Sequence, residues 1–100
     1  MSEGTTVAIL TEAELQTRLA QRPGWAASGD LIVREFERPG GFMGALDFVN
    51  RLAEVAEAMD HHPDVAISWN RVTVSIGSHR LGGVTDQCLQ LAAEADRLAG

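Results

Sequence analysis

Apolar residues recur every three or four positions in three stretches of the chain, which is the period of an α-helix with one buried face. The longest stretch runs from Phe42 to Asp60, a shorter one begins at Thr11 and reaches about Gln21, and the last follows Thr85. The longest stretch carries its apolar stripe at Phe42, Leu46, Val49, Leu52 or Ala53, Ala56 and Met59. The pattern therefore predicts three amphipathic helices.

The ends of these stretches carry residues that begin and end helices in proteins. The four residues from Thr11 to Glu14 predict a capping box, in which the threonine hydroxyl and the glutamate carboxylate each accept a bond from a backbone N–H. Thr85 is a favourable cap for the last helix. Pro23 and Pro63 follow the first two helices, and proline disfavours helical geometry in the residue before it.

Two pairs of segments between the helices alternate apolar and polar residues, which is the period of a half-buried strand. The first pair spans Trp25 to Arg38, with a turn at Ser28-Gly29-Asp30 and a longer strand from Leu31 to Phe36. The turn of the second pair falls near Asn70-Arg71. The apolar positions of the second pair are Val65, Ile67, Trp69, Val72, Val74 and Ile76.

The elements follow one another in the order α-β-β-α-β-β-α, with short connections between the strands of each pair. Short connections favour antiparallel pairing, and one apolar face per strand requires a covering layer. We therefore predict an α+β fold, a four-stranded antiparallel sheet with three helices on one face. Residues 10–100 are expected to form a single domain after a loose N-terminal tail of residues 1–9.

Composition narrows the classes of partner. The chain has 100 residues and a formal net charge of −6, which disfavours binding to nucleic acid or to an anionic membrane surface. No apolar run approaches the roughly 18–20 residues of a membrane span, and the N-terminus lacks the pattern of a signal peptide. The single cysteine, Cys88, cannot form an internal disulfide, so a reduced, cytoplasmic location is expected.

The three histidines lie next to element ends, where His61 and His62 follow the main helix and His79 follows the second hairpin. His61 alone could complement the dipole at the end of a helix, but one cap does not explain two adjacent histidines. A zinc site is disfavoured because neighbouring histidines cannot easily bind one ion and no His-x-x-x-His or Cys-x-x-Cys pair exists. Acid–base catalysis needs only imidazoles that ionise near neutral pH.

These residues resemble the pterin-4a-carbinolamine dehydratase family. An acidic residue, Glu57, precedes a His-His-Pro run at positions 61–63 by four residues, an aromatic residue follows six positions after the proline, and a histidine follows ten positions later. The resemblance covers roughly residues 10–99. It implies the fold predicted above, with homodimers that join their sheets edge to edge, and often homotetramers.

The activity implied by this resemblance is removal of water from 4a-hydroxytetrahydropterin, which gives quinonoid dihydropterin and recycles the tetrahydrobiopterin cofactor of aromatic amino-acid hydroxylases. The pterin is the substrate, and no metal or bound cofactor is implied. An alternative of another class is a non-catalytic, dimerising interaction module, because proteins of the same family fold also act as partners of transcription regulators and as enzyme-assembly factors.

The resemblance also implies roles for single residues. His61 and His79 are expected to form the acid–base pair, without an indication of which one is the acid. His62 is expected to hold the pterin, and Glu57 to orient an imidazole or contact the substrate. The substrate-binding set further includes three residues, of which the tryptophan has an equally plausible role in the core: Asp60, Trp69 and Ser78.

One position departs from the family pattern. Family members usually carry an aspartate three residues after the threonine that starts the last helix, and this chain has Cys88 there. If that aspartate supports the imidazole of His79, its loss is expected to lower activity and to leave the fold intact.

Overall fold

The computed structural model describes residues 8–100, in which three helices and four strands follow one another in the predicted order. The helices are α1 (Glu12–Leu19), α2 (Gly41–Met59) and α3 (Asp86–Ala99). The strands are β1 (Ala26–Ser28), β2 (Leu31–Glu37), β3 (Asp64–Ser68) and β4 (Arg71–Ile76). The predicted α+β class is confirmed. Most of the predicted tail, residues 1–7, lies outside the described residues.

The four strands form one antiparallel sheet in the order β1-β2-β4-β3. β4 is therefore central, and β3 lies at an edge of the sheet. Asp64, the first residue of β3, pairs with Ser75 near the end of β4. This antiparallel register places the segment before β3 and the segment after β4 at the same end of the sheet.

The predicted caps are confirmed at both ends of the chain. The Thr11 hydroxyl accepts a hydrogen bond from the backbone N–H of Glu14, at 3.1 Å, and the Glu14 carboxylate accepts one from the backbone N–H of Thr11. Thr85 begins α3 in an extended conformation, as expected for a residue just before a helix. Pro63 follows the end of α2 by four residues.

The buried stripe of α2 contains Leu52 and Ala56 as predicted, but in the first half of the helix it lies one position before the predicted Leu46 and Val49. Phe42 is half exposed, because it lies in the first turn of the helix, beyond the part that the sheet and α3 cover. The core side of α2 is made by Ala45, Phe48, Leu52 and Ala56, and it packs against side chains of β2, β4 and α3. Burial of each large apolar side chain in this layer contributes about 1.5–3 kcal/mol.

The turn of the second hairpin consists of Trp69 and Asn70, one residue earlier than predicted. Ser68 pairs with Arg71, so the arginine belongs to β4 and does not form the turn. Trp69 takes a left-handed conformation, with φ of 52°, and Asn70 binds the backbone of Arg38 through its carbonyl oxygen and its side-chain amide. Asn70 is thus anchored to the end of β2, and Trp69 lies in the turn.

Asp96 on α3 ties the first half of the chain to the last helix. Its carboxylate accepts hydrogen bonds from the Trp25 indole at 2.9 Å, from Arg34 at 2.7 Å and from Arg22 at 3.0 Å. Trp25 also packs edge-on against Phe36 in the core. The network joins the segment after α1, strand β2 and α3 through one side chain.

Candidate active site

The end of α2 directs two histidines away from the helix. Asp60 takes a left-handed conformation, with φ of 52°, and the backbone N–H of His61 bonds to the carbonyl of Ala56 at 3.0 Å. This is the Schellman pattern, which turns the chain sharply after the last helical residue. Aspartate is one of the few residues besides glycine that adopts this conformation readily. The turn therefore releases His61 and His62 at the end of the sheet.

A tight loop after β4 carries the third histidine. Ser78 and Gly83 form an isolated antiparallel bridge, and the carbonyl of Ser78 accepts the N–H of Gly82 at 2.7 Å. The Ser78 hydroxyl accepts the N–H of Leu81 at 3.1 Å. Because the loop is closed by these bonds, the position of His79 within it is defined.

The register of β3 and β4 brings both segments to one cleft. The cleft has a volume of about 510 Å³, within the range of small-molecule sites. Five of the residues that the sequence assigned to catalysis or binding line it: Asp60, His61, His62, Ser78 and His79. Residues that lie 18 positions apart in the sequence therefore meet because their strands pair.

Two predicted residues lie outside the lining of this cleft. Trp69 is at the opposite end of β3, 68% exposed, and its ring lies beside Gly41, where an added Cβ would come within 3.6 Å of it. Glu57 does not contact His61, because α2 ends at Met59 and the histidine has left the helical face. Instead, the Glu57 carboxylate is hydrogen-bonded to Nε2 of His62.

The surroundings of His61 shift its pKa. Burial lowers its pKa below the usual 6.5, and the nearby charges of His62 and His79 lower it further. Asp60 acts in the opposite direction, as a negative charge beside an imidazole does. The ring of His61 is therefore predominantly uncharged at neutral pH and able to accept a proton.

The other two histidines each have a carboxylate neighbour. His79 is exposed, and its Nε2 lies 3.8 Å from Oδ1 of Asp64 at the start of β3. His62 is half exposed and bonded to Glu57. Each carboxylate therefore lies within reach of an imidazole that faces the cleft.

Position 88, where the sequence departs from the family pattern, lies next to His61. The Sγ atom of Cys88 is 3.2 Å from Nε2 of His61, and the cysteine is fully buried. The sequence left open whether this position supports His79, and the structure places it against His61, because α3 packs against α2. Sequence spacing alone does not indicate which loop a helix start will touch.

The cleft also contains residues that the sequence analysis did not single out. Met59 and Arg80 line it, together with Gln87 from the first turn of α3. Met59 and Arg80 are direct neighbours of predicted residues, which is the one signal that could have found them. No such signal points to Gln87, because its position in the cleft depends on the packing of α3.

The described part of the chain, residues 8–100, contains no group of three or more histidine, cysteine, aspartate or glutamate side chains arranged to hold a metal ion. The arrangement that does occur is an uncharged imidazole and two imidazoles paired with carboxylates around one cleft. Such a set can deliver a proton at one point of a bound molecule and remove one at another.

Comparisons with known proteins agree on one family. A family model described as pterin 4 alpha carbinolamine dehydratase matches residues 8–98. A protein of Picosynechococcus sp., provisionally named a pterin-4-alpha-carbinolamine dehydratase, is 46% identical over 89 residues, which cover 89% of this chain and 96% of that protein. A protein of Thermosynechococcus vestitus with the same provisional name is 43% identical over 90 residues, covering 90% of this chain and 94% of that protein.

Solved structures with the same fold carry two kinds of description. A crystal structure of a transcriptional coactivator/pterin dehydratase from Brucella melitensis matches with a TM-score of 0.87 and 33% identity, and covers 93% of this chain and 100% of that one. A pterin dehydratase-like protein described as a RuBisCO assembly factor matches with a TM-score of 0.61 and 22% identity, covering 76% of this chain and 87% of that one. The second likeness concerns the fold alone.

Proposed function

The chain belongs to the pterin 4 alpha carbinolamine dehydratase family, and on this premise we propose that it removes water from a 4a-hydroxytetrahydropterin by histidine acid–base catalysis. The product is quinonoid dihydropterin, and the step belongs to the recycling of tetrahydrobiopterin. The observation that carries the proposal is the meeting of His61, His62 and His79 around one cleft.

The reaction requires only proton transfers from the protein. The C–O bond at the ring junction is weakened by the lone pair of the adjacent ring nitrogen. Protonation of the hydroxyl lets it leave as water, and loss of the proton on the neighbouring ring nitrogen completes a C=N bond. Each well-placed acid or base contributes about 10²–10⁴-fold.

We assign the base role to His61 and the acid role to His79. The lowered pKa of His61 supports the first assignment, because an uncharged imidazole is ready to accept the proton of the ring nitrogen. The place of His79 in the same cleft supports the second, together with Asp64, whose Oδ1 lies 3.8 Å from Nε2 and can hold the ring while it protonates the leaving hydroxyl.

The remaining residues of the cleft are assigned to binding. His62, held by Glu57, is proposed to contact the pterin ring, with Asp60 and Ser78 at the cleft wall. Glu57 then acts through His62. Trp69, which lies outside the lining of the cleft, is left out of this substrate-binding set.

The proposal is tested by following dehydration of freshly generated 4a-hydroxytetrahydropterin by absorbance. We expect the purified protein to accelerate the decay with saturation in substrate, well above the spontaneous rate. Free imidazole at the same histidine concentration is the control, since three isolated histidines would act no better than the buffer. A decay that is equally fast with protein and with imidazole would contradict the proposal.

The edge of the sheet supports the expected homodimer. β3 has no strand beyond it in the described chain, and Val65 on it is exposed. An unpaired edge strand favours pairing with another chain, and a second copy joined at β3 would extend both sheets. We propose this homodimer as the basic assembly, and a homotetramer as a pair of such dimers.

The second candidate is the non-catalytic interaction module. Its support is the exposure of Phe42, Met43 and Trp69, large apolar side chains at one end of α2 and β3, since contiguous apolar surface often marks a protein contact. Two results would favour this candidate. The unmodified protein would fold but lack dehydratase activity, and the variant with all three histidines replaced by alanine would still bind a stable partner.

The location of the protein is the remaining part of the proposal. Within residues 8–100, none of the helices has the length and apolar character needed to cross a membrane. The expected place is the cytoplasm, where a single cysteine remains reduced.

A further inference from the structure

The chain has one cysteine, and the structure places it behind the proposed catalytic base. Cys88 lies in the first turn of α3 with no exposed surface. Its sulfur is 3.2 Å from Nε2 of His61, which itself lines the cleft. The thiol is thus shielded from substrate but in direct contact with a ring that substrate can reach. This contact has no part in the acid–base assignment above.

The sulfur is held by a second residue. The backbone N–H of Thr85 donates to Sγ at 3.4 Å, and the Thr85 hydroxyl lies at the same distance from it. Thr85 is buried, so neither group exchanges its partner for water. Because both residues lie at the start of α3, the sulfur is held in place beside one edge of the His61 ring.

We propose that Cys88 is the positioning residue of His61: its sulfur accepts the Nε2–H of the uncharged ring, and the lone pair of Nδ1 is left as the proton acceptor in the cleft. This arrangement requires the S–H to donate to the Thr85 hydroxyl oxygen, 3.4 Å away, so that the sulfur lone pairs accept from His61 at 3.2 Å. The inference deepens the proposed function and rests on it for the role of His61 as base.

The charge of the group beside Nε2 of His61 matters as much as its position. Around His61 lie Asp60 and His62 from the end of α2, and His79 and Arg80 from the loop after β4. Asp64 at the start of β3 faces His79. A neutral thiol from α3 adds no charge to this set. It orients the ring without adding a negative charge, whereas the carboxylate that family members usually carry there would stabilise the imidazolium.

The tautomer of His61 is measured directly by ¹⁵N NMR of the imidazole nitrogens. In the unmodified protein at a pH of about 8, we expect Nε2 of His61 to carry the proton and Nδ1 to be bare. Cys88→Ser keeps an acceptor and is expected to keep this tautomer, whereas Cys88→Ala removes the acceptor and is expected to give a mixture. A ring protonated at Nδ1 in the unmodified protein overturns the proposal.

The charge argument is tested by Cys88→Asp. A carboxylate beside Nε2 is expected to raise the pKa of His61 by about 1–3 units, seen in the same NMR titration. The acid limb of the pH–rate profile for dehydration should move to higher pH by the same amount, because His61 must be uncharged to act. Cys88→Ser should retain the activity that Cys88→Ala loses.

A matched control separates positioning from packing. Leu91 lies on the same helix, is equally buried and is outside the cleft lining, so Leu91→Ala should lower stability and leave the His61 titration and the pH–rate profile unchanged. If the alanine and aspartate variants at position 88 titrate like the unmodified protein, Cys88 is only a core residue. The NMR measurement does not depend on enzymatic activity. A failure of the proposed function is therefore seen separately, as the absence of dehydration.

Discussion

Replacement of His61 or His79 by alanine is expected to lower kcat for dehydration of 4a-hydroxytetrahydropterin by about 10²–10⁴-fold, the usual contribution of one general acid or base. His61 supplies the uncharged imidazole and His79 the imidazole beside Asp64. KM is expected to change little, because binding is assigned mainly to His62. The measurement is steady-state kinetics, with circular dichroism to show that each variant folds.

The control for both variants is Arg51→Ala. Arg51 is exposed on α2 and pairs with Asp47 at the surface, outside the lining of the cleft, so its loss should leave kcat unchanged. The double variant should lose little more than the worse single variant, if the two histidines act as one unit on one substrate. Variants that keep the activity of the unmodified protein would show that the histidines do not carry the reaction.

Replacement of Asp96 by alanine is expected to cost about 2–4 kcal/mol of unfolding free energy. Asp96 is largely buried and accepts bonds from Trp25, Arg34 and Arg22, and its removal leaves the Trp25 indole N–H and a partly buried guanidinium without their acceptor. Arg22 is more exposed than Arg34, so its contact contributes least. Urea unfolding gives the free energy.

Glu94→Ala on the same helix is the matched control for Asp96. Glu94 pairs with Arg97 at the surface, and its loss is expected to change the unfolding free energy by no more than about 0.5 kcal/mol. Similar losses for the two variants would mean that the Asp96 network adds nothing beyond a surface ion pair.

The element order could be predicted from sequence because local signals suffice for it. The capping box at Thr11 and Glu14 involves residues three positions apart, and the strand pattern repeats every second residue. Local signals were less accurate where packing against other elements decides which residue is buried or forms a turn. Phe42 fits the helical period but lies outside the covered part of α2, and Trp69 fits the strand period but forms the turn.

The candidate site was predictable only in part. The family spacing named His61, His62 and His79, and the pairing of β3 with β4 explains why they meet. The partners of these rings depend on contacts between distant elements. Cys88 reaches His61 across 27 positions, and no periodicity in the sequence encodes that packing. The same holds for Asp96, which is 71 positions from Trp25.

The most direct test of the account is a crystal structure of the protein with 7,8-dihydrobiopterin, a stable relative of the proposed product. We expect the flat ring to lie in the cleft between His61 and His79, with Nδ1 of His61 within hydrogen-bond distance of a ring nitrogen. A pterin bound elsewhere on the protein, with this cleft left open, would contradict the central claim that the three histidines surround the substrate.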